Sequence, residues 1–307
     1  MVKSLRRIAL CFFIGIGLFF SKIDFVVRYS GRRCPNGGQR ITFSEIGNHG
    51  RLGNQLFQIA STIGIAESSG LEWSFPQSIS TCAAGKLFHI EGDHSLGFSR
   101  HFEVSETSPF FHKIQIPLNA IKECTISLHG YFQSPEYFVN SHETLREYLK
   151  IPVQMKEKIT TAVPEIDKHD SVAIHVRRGD YTEPPFNTLY SILDESYYVD
   201  ALSQIAGVAR VIIVTNDKNW CKRHLSPALG KRVIFSPFED DMLDFILLHL
   251  ARNIIIANSS YSWWAAYLRI IYGLPYNVFA PSVWYNMTGD FAHLNHDAFY
   301  PSLWTRV

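Results

Sequence analysis

Two adjacent arginines and an acid follow an apolar stretch in the second half of the chain. Arg177, Arg178 and Asp180 come directly after Val172–Val176, a run rich in β-branched residues. Such a run is typical of a buried parallel strand, and open α/β sheets bind ligands just beyond the ends of such strands. The planar fork of arginine donates paired, charge-assisted hydrogen bonds to phosphate. The pattern predicts a diphosphate site, with a surface ion pair as the alternative.

A glycine-flanked segment carries a second anion-binding pattern. Its glycines precede an apolar run that predicts a helix from Asn54 to Ser68. Glycines let backbone N–H groups approach an anion, and the start of a helix adds a favourable dipole. The pattern predicts a pyrophosphate-binding loop, although a tight turn that caps a helix would look the same. The loop comprises Gly50, Arg51, Gly53, Asn54 and Gln55.

A third segment joins a strand to a helix. The isoleucine-rich run Ile254–Ala257 predicts a strand, and a helix is predicted from Tyr261 to Tyr272. Residues between them favour N-cap positions, so the helix would direct free N–H groups at the same crevice. The linking residues are Asn258, Ser259 and Ser260. The adjacent Trp263 and Trp264 point in different directions on a helix, so at least one is expected in the core.

Two further polar residues follow the predicted strand Val211–Thr215. Asn216 and Asp217 are placed to contact the base or ribose of a nucleotide, with an ordinary Asx turn as the alternative.

Three residues are candidates for a general base. Asp180 is favoured because it follows the arginine turn, but an acid beside two arginines could equally serve to orient them. His175 and Glu136 are the alternative bases, and His175 is also a candidate contact of the bound nucleotide. The predicted catalytic residues are Asp180, as the favoured base, together with Arg178 and Asn54 from the diphosphate site.

Taken together, these segments resemble the α-1,2-fucosyltransferase family. The motifs GRLGNQ, HVRRGDY and ANS followed by SWWAA occur in the family order, with a GYFQ stretch between the first two. A strand-ending turn before Trp-Cys also matches. The corresponding ranges are 50–55, 130–138, 175–181, 215–221 and 257–266.

The resemblance implies a function and a fold. It implies inverting transfer of L-fucose from GDP-fucose to the 2-hydroxyl of a terminal galactose on a glycan. It also implies a GT-B-like α/β fold with two facing Rossmann-like, doubly wound domains. No Asp-x-Asp follows a strand, and residues 238–244 read as the acidic start of a helix, so we expect no metal cofactor. The alternatives are a fucosyltransferase of other linkage or an inactive lumenal protein that binds nucleotide sugar or glycan.

Composition agrees with a folded enzyme. The chain has 307 residues, 46% of them hydrophobic, and a formal net charge of +1. It can bury a large core, and its charge gives no reason to expect nucleic-acid binding. The predicted units are an N-terminal α/β domain over residues 40–167 and a C-terminal nucleotide-sugar-binding domain over residues 168–307. The segment 81–117 lacks clear periodicity and is a candidate for acceptor recognition, with a plain loop as the alternative.

The N-terminus predicts a membrane anchor. Lys3, Arg6 and Arg7 precede an uncharged apolar run over residues 8–20. Basic residues before such a run favour a cytosolic tail, here residues 1–7. The run gives only about 20 Å of helix, so a cleaved signal peptide is the alternative. The family resemblance implies a single-pass type II Golgi protein with a lumenal catalytic part, for which residues 21–39 would form a stem.

A lumenal location has consequences for cysteines and glycans. Cys11 lies in the apolar run, leaving Cys34, Cys82, Cys124 and Cys221 for one or two disulfides, unless Cys82 or Cys221 is buried and free. Asn258 and Asn286 both begin sequons, and we expect a glycan only on Asn286 because Asn258 falls in the predicted site.

Overall fold

Two β-sheets, joined and covered by helices, form the framework of the protein in a computed structural model. The structure describes residues 25–29, 40–96, 101–106, 111, 114, 125–230, 232–286 and 299–307. The first sheet contains β1 (Phe25–Tyr29), β2 (Arg40–Thr42), β3 (Glu72–Trp73), β4 (His101–Glu106) and β5 (Thr125–His129). The second contains β6 (Ser171–Val176), β7 (Arg210–Thr215), β8 (Arg232–Phe235), β9 (Asn253–Ile255), β10 (Asn277–Ala280) and β11 (Thr305–Arg306).

The second sheet has the strand order of a dinucleotide-binding fold. Its order is β11-β10-β9-β6-β7-β8, and every neighbouring pair is parallel. Counted from β6, this is the order 3-2-1-4-5-6, in which the chain reverses direction between β6 and β9. The prediction of a doubly wound parallel sheet in the C-terminal part is confirmed. The ends of β6 and β9 therefore flank the crevice where such sheets bind ligands.

Seven helices of six or more residues occur in the described part of the chain. They are α1 (Leu52–Ser68), α2 (Ala83–Phe88), α3 (His142–Tyr148), α4 (Val153–Ala162), α5 (Glu195–Ser203), α6 (Asp241–Leu250) and α7 (Ser260–Ile271). The start of α6 is fixed by Asp240, whose carboxylate accepts hydrogen bonds from the backbone N–H groups of Met242 and Leu243. This confirms that the acidic segment 238–244 begins a helix.

Helices α1 and α7 pack together through aromatic side chains. The Phe57 ring centroid lies 4.5 Å from that of Trp263 and 5.2 Å from that of Trp264. Both tryptophans are fully buried, which confirms the expectation of a core position and extends it to both rings. Their burial stabilises the contact between the two helices, since aromatic side chains dominate core energetics. The starts of α1 and α7 are thereby brought side by side.

The first sheet extends into the segment predicted to be a stem. Strand β1 pairs antiparallel with β4, whereas β4–β5, β5–β2 and β2–β3 are parallel. Phe25, Val26 and Val27 are strand-favouring residue types, which accounts for the difference from the predicted stem. The predicted boundary after residue 167 falls between the two sheets.

The segment at residues 135–149 is interrupted by a turn. Pro135 at its start favours a single helix over this range, but the structure has a 3-10 turn at Pro135–Tyr137 followed by α3. The Asn140-Ser141 pair between them competes for backbone hydrogen bonds and favours a helix start over a helix interior. The segment 81–117 contains α2 and β4 instead of being wholly irregular.

Several N-terminal and cysteine predictions lie outside the described residues. The tail and anchor (residues 1–20), Cys34 and Cys124 are among them. Within the described part, no helix combines the length and apolar character needed to cross a bilayer. Cys82 and Cys221 are buried and free, so the two-disulfide alternative is wrong and the buried-thiol alternative is confirmed for both residues.

Candidate active site

The first and third predicted motifs meet where α1 and α7 begin. Gly53 lies so close to the backbone of α7 that an added Cβ would be 2.3 Å from the carbonyl carbon of Ser260 and 2.4 Å from the nitrogen of Tyr261. The Ser260 hydroxyl also donates a 2.7 Å hydrogen bond to Asn54 Oδ1. The glycine is therefore required by close approach of the two helices, and the serine fixes their register.

The loop before α1 presents the Asn54 amide. Gly50 has φ +78°, and a Cβ at this position would lie 2.3 Å from Asn54 Nδ2. Asn54 Oδ1 is occupied, because it accepts hydrogen bonds from Ser260 and from Gln133 Nε2 at 2.8 Å. Asn54 Nδ2 has no partner among the described residues, so this donor remains available to a ligand.

Both helix starts at this point lack side-chain caps. The residues preceding α1 and α7, Arg51 and Ser259, make no side-chain hydrogen bond to their helices, and neither first turn contains an acid. By contrast, α5 and α6 begin under the carboxylates of Asp194 and Asp240. Free N–H groups and the positive ends of two helix dipoles at one place form a site for an anion.

The arginine turn after β6 is held by Asp180 and Asn216. Arg177 Nη2 donates to Asp180 Oδ2 at 2.6 Å, and Asn216 Nδ2 lies 3.4 Å from Asp180 Oδ1. Asn216 Oδ1 accepts the backbone N–H of Arg178 at 3.0 Å. A Cβ on Gly179 would lie 2.5 Å from Asn216 Nδ2. Both oxygens of Asp180 are thus engaged in shaping the turn.

Arg178 is fixed from two sides. Its Nη1 donates to the carbonyl of Leu193 at 2.8 Å, and its guanidinium carbon lies 4.1 Å from the Trp220 ring centroid. Asp217 Oδ1 accepts the backbone N–H of Trp220 at 2.9 Å and so caps the short helix that carries this ring. Arg178 Nε is buried without a partner in the described structure. The guanidinium is therefore oriented before any ligand binds.

His175 connects β6 to α7 from a buried position. Its Nδ1 lies 2.8 Å from the Ser262 hydroxyl oxygen, and its ring packs against that of Tyr261. Burial, assisted by Arg177, lowers the pKa of His175 to about 3. The imidazole is neutral at pH 7 and a weak base, so this geometry favours a structural role over the predicted roles of base or donor contact.

Several other residues that were predicted to contact the sugar donor instead form hydrogen bonds to neighbouring backbone segments. The amide of Gln55 is used internally, donating to the Gly50 carbonyl and accepting the Ala84 N–H. Asn258 is fully buried, and its Nδ2 donates to two backbone carbonyls. These side chains brace the loops and do not present donors to the crevice. Asp217 also supports the site indirectly, because its side chain accepts the backbone N–H of Trp220.

Arg51 and Glu136 are exposed. The Arg51 side chain makes no ion pair or hydrogen bond with the residues that the structure describes, so it is free to approach an anion. Glu136 projects from the turn Pro135–Tyr137. Two residues before Arg51 in the chain, His49 forms a cluster with Glu45 and His129, whose ligand atoms lie within 4.8 Å of one another.

Comparison with known proteins places the chain in a family. A model described as "Glycosyl transferase family 11" matches residues 104–302.

The chain belongs to glycosyl transferase family 11.

The matched span includes the arginine turn and the α7 start, whereas the Gly50 loop precedes it.

Two individual proteins are similar to the chain at modest identity. The chain is 29% identical over 197 residues to an α-1,2-colitosyltransferase of Escherichia coli, covering 62% of this chain and 65% of that protein. It is 24% identical over 237 residues to galactoside α-(1,2)-fucosyltransferase 1 of Mus musculus, covering 71% of this chain and 61% of that protein. The chain thus spans slightly less than two thirds of the length of either relative.

The structure is also similar to that of the fucosyltransferase NodZ from Bradyrhizobium. The TM-score is 0.46 at 14% identity, with 75% of this chain and 93% of that chain covered.

Sequence reasoning missed two parts of this family 11 site. Gln133 holds Asn54, and Trp220 supports Arg178. Gln133 belongs to the GYFQ stretch, so the motif itself was visible, but nothing in the sequence indicated its contact with residue 54. Trp220 belongs to the matching Trp-Cys pair, but no local pattern indicated that its ring lies against Arg178.

Proposed function

We propose that this family 11 chain transfers L-fucose from GDP-fucose to the 2-hydroxyl of a terminal galactose, with inversion at the sugar carbon. The observation that carries the proposal is the juxtaposition of paired arginines after β6 with the uncapped starts of α1 and α7. This arrangement supplies fixed positive charge and free N–H donors for a diphosphate. The named activity of the murine relative supports the choice of fucose, galactose and linkage.

The chemistry follows from where negative charge develops. Breaking the bond between the sugar C1 and phosphate oxygen leaves the electron pair on the departing GDP. Arg178, oriented by Leu193 and Trp220, is the principal group that stabilises this charge. Arg51, Asn54 Nδ2 and the first N–H groups of α1 assist it. Because these donors are fixed in advance, little reorganisation is required in the transition state.

The proposal includes catalysis without a metal ion. Arg178 and Arg51 supply the positive charge that a divalent ion would otherwise provide. The adjacent acids Asp240 and Asp241, which are most similar to a metal-binding motif, lie at the start of α6. The architecture proposed is GT-B-like, with the second sheet holding the nucleotide at the crevice between β6 and β9. The glycan acceptor then enters from the side of the first sheet.

Transfer assays with the full-length protein test this function. The protein, purified in detergent, is incubated with GDP-fucose, EDTA and a panel of galactose-terminated glycans, and product linkage is determined by NMR. Arg178→Ala is compared with Arg252→Ala, which removes an exposed arginine at the opposite end of β9. We expect an α-1,2-linked product that persists in EDTA, is lost in Arg178→Ala and is retained in Arg252→Ala.

Other outcomes separate the alternatives. Binding of GDP-fucose without transfer to any glycan would favour an inactive binding protein. A product with another linkage would retain the donor site and revise the acceptor. Loss of activity in EDTA that is restored by a divalent cation would refute metal independence.

A second donor is the specific alternative. The α-1,2-colitosyltransferase of Escherichia coli is 29% identical to this chain, and colitose is the 3-deoxy analogue of L-fucose. GDP-colitose is therefore assayed in parallel. If kcat/KM is higher for GDP-colitose than for GDP-fucose, the transferred sugar in the proposal becomes colitose. The proposed diphosphate site stays the same.

We also propose that the protein is a single-pass type II Golgi protein anchored by residues 8–20, with a glycan on Asn286. The support is the basic residues Lys3, Arg6 and Arg7 ahead of the apolar run, together with the sequon. Cell fractionation with alkaline extraction, combined with digestion by an N-glycosidase, tests both parts. Release by alkali without detergent would refute the anchor, and an unchanged electrophoretic mobility after digestion would refute the glycan.

A further inference from the structure

Glu106 lies at the end of β4 in a site shaped around its carboxyl group. Its Oε2 accepts hydrogen bonds from the backbone N–H groups of Tyr131 at 2.8 Å and Phe132 at 3.0 Å. Gly130, with φ +148°, leaves room for the side chain, since a Cβ there would lie 2.5 Å from Glu106 Cβ and 2.8 Å from Oε2. The carboxylate is therefore fixed by a turn that requires glycine.

The same turn reaches the predicted donor site. Gln133, one residue beyond Phe132, donates to Asn54 Oδ1 at 2.8 Å. Glu106 is thus connected to the α1 start through one short backbone segment. A group in this position can act next to the donor without belonging to the diphosphate-binding set.

Three tyrosine rings form a stack in the C-terminal part of the chain. The rings of Tyr181 and Tyr190 are parallel with centroids 4.3 Å apart, and Tyr190 is 5.5 Å from Tyr285. The stack begins beside the diphosphate site, because the Arg177 guanidinium lies 5.4 Å from the Tyr181 ring centroid.

The tyrosine stack lies within electrostatic range of Glu106 and Tyr131. Burial raises the pKa of Tyr285, and the neighbouring tyrosines and Glu106 raise it further. Burial likewise raises the pKa of Tyr190 to about 12; Tyr131 and Asp180 raise it further, and Arg177 opposes them. Tyr131, next to Glu106, therefore lies within range of the same stack. Aromatic faces of this kind stack on sugar rings, and Tyr131 is 43% exposed.

The remaining oxygen of Glu106 is free to accept a proton. Oε1 has no hydrogen-bond partner within the described residues, and no cationic side chain contributes to the protonation equilibrium of the carboxyl group. Burial raises the pKa of Glu106 to about 7 in spite of its two N–H donors. A general base is most effective with a pKa near the working pH.

The other titratable groups described near Glu106 and the donor site are less suited to act as the general base. Tyr131 and Tyr285 face it, and both have raised pKa values because of burial and negative neighbours. On the adjacent strand β5, His129 pairs in register with Ser105 and approaches Glu45 at 3.5 Å. By comparison, Asp180 already has both oxygens engaged, and His175 is buried and neutral.

We propose that Glu106 is the proton acceptor for the acceptor hydroxyl, in an acceptor subsite that holds a hexose between Glu106 and the exposed ring of Tyr131. This inference rests on the proposed function. In the step, the acceptor O–H proton passes to Glu106 Oε1 while the oxygen forms a bond to the donor sugar C1. The bond from C1 to the diphosphate breaks, and its electron pair leaves with GDP. Glu106 then releases the proton to solvent.

The variant Glu106→Gln tests the assignment in the full-length protein. Its side-chain oxygen can still accept the two backbone hydrogen bonds, so the turn is preserved. We expect kcat for transfer to fall by about 100-fold or more, while the KM for GDP-fucose and the Kd for GDP stay within about twofold of wild type. The wild-type kcat should rise with pH through a limb near 7, and Glu106→Gln should lose that limb.

Glu103→Gln is the matched control on the same strand. Glu103 accepts a hydrogen bond from the Ser105 hydroxyl at 2.7 Å and has no part in the turn. This variant should keep wild-type kcat and the wild-type pH profile. Should Glu106→Gln fail to fold, Glu106→Asp provides the second variant, with retained donor binding, lowered kcat and a limb displaced in pH.

The outcomes also separate this inference from the proposed function. If wild type and Glu103→Gln transfer fucose and Glu106→Gln does so at a similar rate with an unchanged pH limb, Glu106 is not the base. A fall in thermal stability and GDP binding without loss of the limb would assign Glu106 a structural role and overturn the inference. Inactivity of wild type and both variants on every glycan would instead refute the proposed function.

Discussion

Replacing Gly53 with alanine should separate the two helix starts that form the predicted anion site. The added Cβ would lie 2.3–2.5 Å from three backbone atoms of Ser260 and Tyr261, where ordinary contacts begin at 3.4 Å. Backbone atoms cannot rotate away as a side chain can, so α1 must move relative to α7 by about 1 Å. A displacement of this size at a reacting centre costs on the order of 100-fold in rate. Overpacking costs about 1–3 kcal/mol of stability.

Gly64→Ala provides a control on the same helix. A Cβ at Gly64 would lie 2.1 Å from the Tyr137 carbonyl oxygen and 2.6 Å from Phe138 Cα, so its clash with backbone is comparable. Gly64 is eleven residues beyond Gly53 along α1, which separates the two positions by about 16 Å. We therefore expect both variants to lose stability, but only Gly53→Ala to lose donor binding and transfer.

The assay combines thermal unfolding, calorimetric titration with GDP and initial rates of transfer, all below the unfolding transition. Gly53→Ala should weaken GDP binding about tenfold or more and lower kcat/KM about 100-fold. Equal effects of both variants on GDP affinity would show that general destabilisation, and not the contact between α1 and α7, controls the site. Wild-type affinity in a folded Gly53→Ala protein would refute the reasoning directly.

Three further predictions concern individual side chains. Because the folded pKa of Glu106 is raised from 4.5 to about 7, the folded state binds more protons in that window, so the free energy of unfolding should fall by about 3 kcal/mol as pH rises from about 4.5 to 7. Denaturant titrations should show this fall in wild type, and the same slope in Glu106→Gln would contradict it. Trp220→Leu removes the ring beneath Arg178 and should weaken GDP binding by several-fold to tenfold, since cation–π contacts contribute about 0.5–2 kcal/mol. An unchanged Kd in calorimetry would show that Leu193 alone orients the guanidinium. Asn216→Ala removes the partner of Asp180 and of the Arg178 N–H, costing about 1 kcal/mol of stability and lowering kcat about tenfold. Full activity with unchanged stability would mean that the turn is set by its backbone alone.

Local sequence signals predicted most of the elements that carry the site. The β-branched run at residues 172–176 forms the fully buried β6, and the apolar run after Asn54 forms α1. The prediction for the α7 start was within one residue. These features depend on strand propensity, side-chain periodicity and N-cap preference, which act between neighbours in the chain and are therefore visible without a structure.

Side-chain roles within the motifs were less predictable. His175 and Gln55 lie inside matching motifs, yet their polar atoms bond to neighbouring elements in the interior. Asp180 had two possible roles, and the contacts with Arg177 and Asn216 favour orientation of the turn. Residue type shows that a side chain can donate or accept, but only its neighbours determine whether a ligand can use it.

By itself, the sequence determined the strand-to-turn and loop-to-helix junctions that present arginines and free N–H groups. Tertiary structure decided that these junctions meet, through the strand order of the second sheet and the packing of Phe57 against Trp263 and Trp264. It also placed the Glu106 carboxylate in the turn after β5, next to Tyr131, which is 25 residues away in the sequence. Such contacts join residues far apart in the chain, and their geometry depends on strand order and core packing, which no local preference encodes.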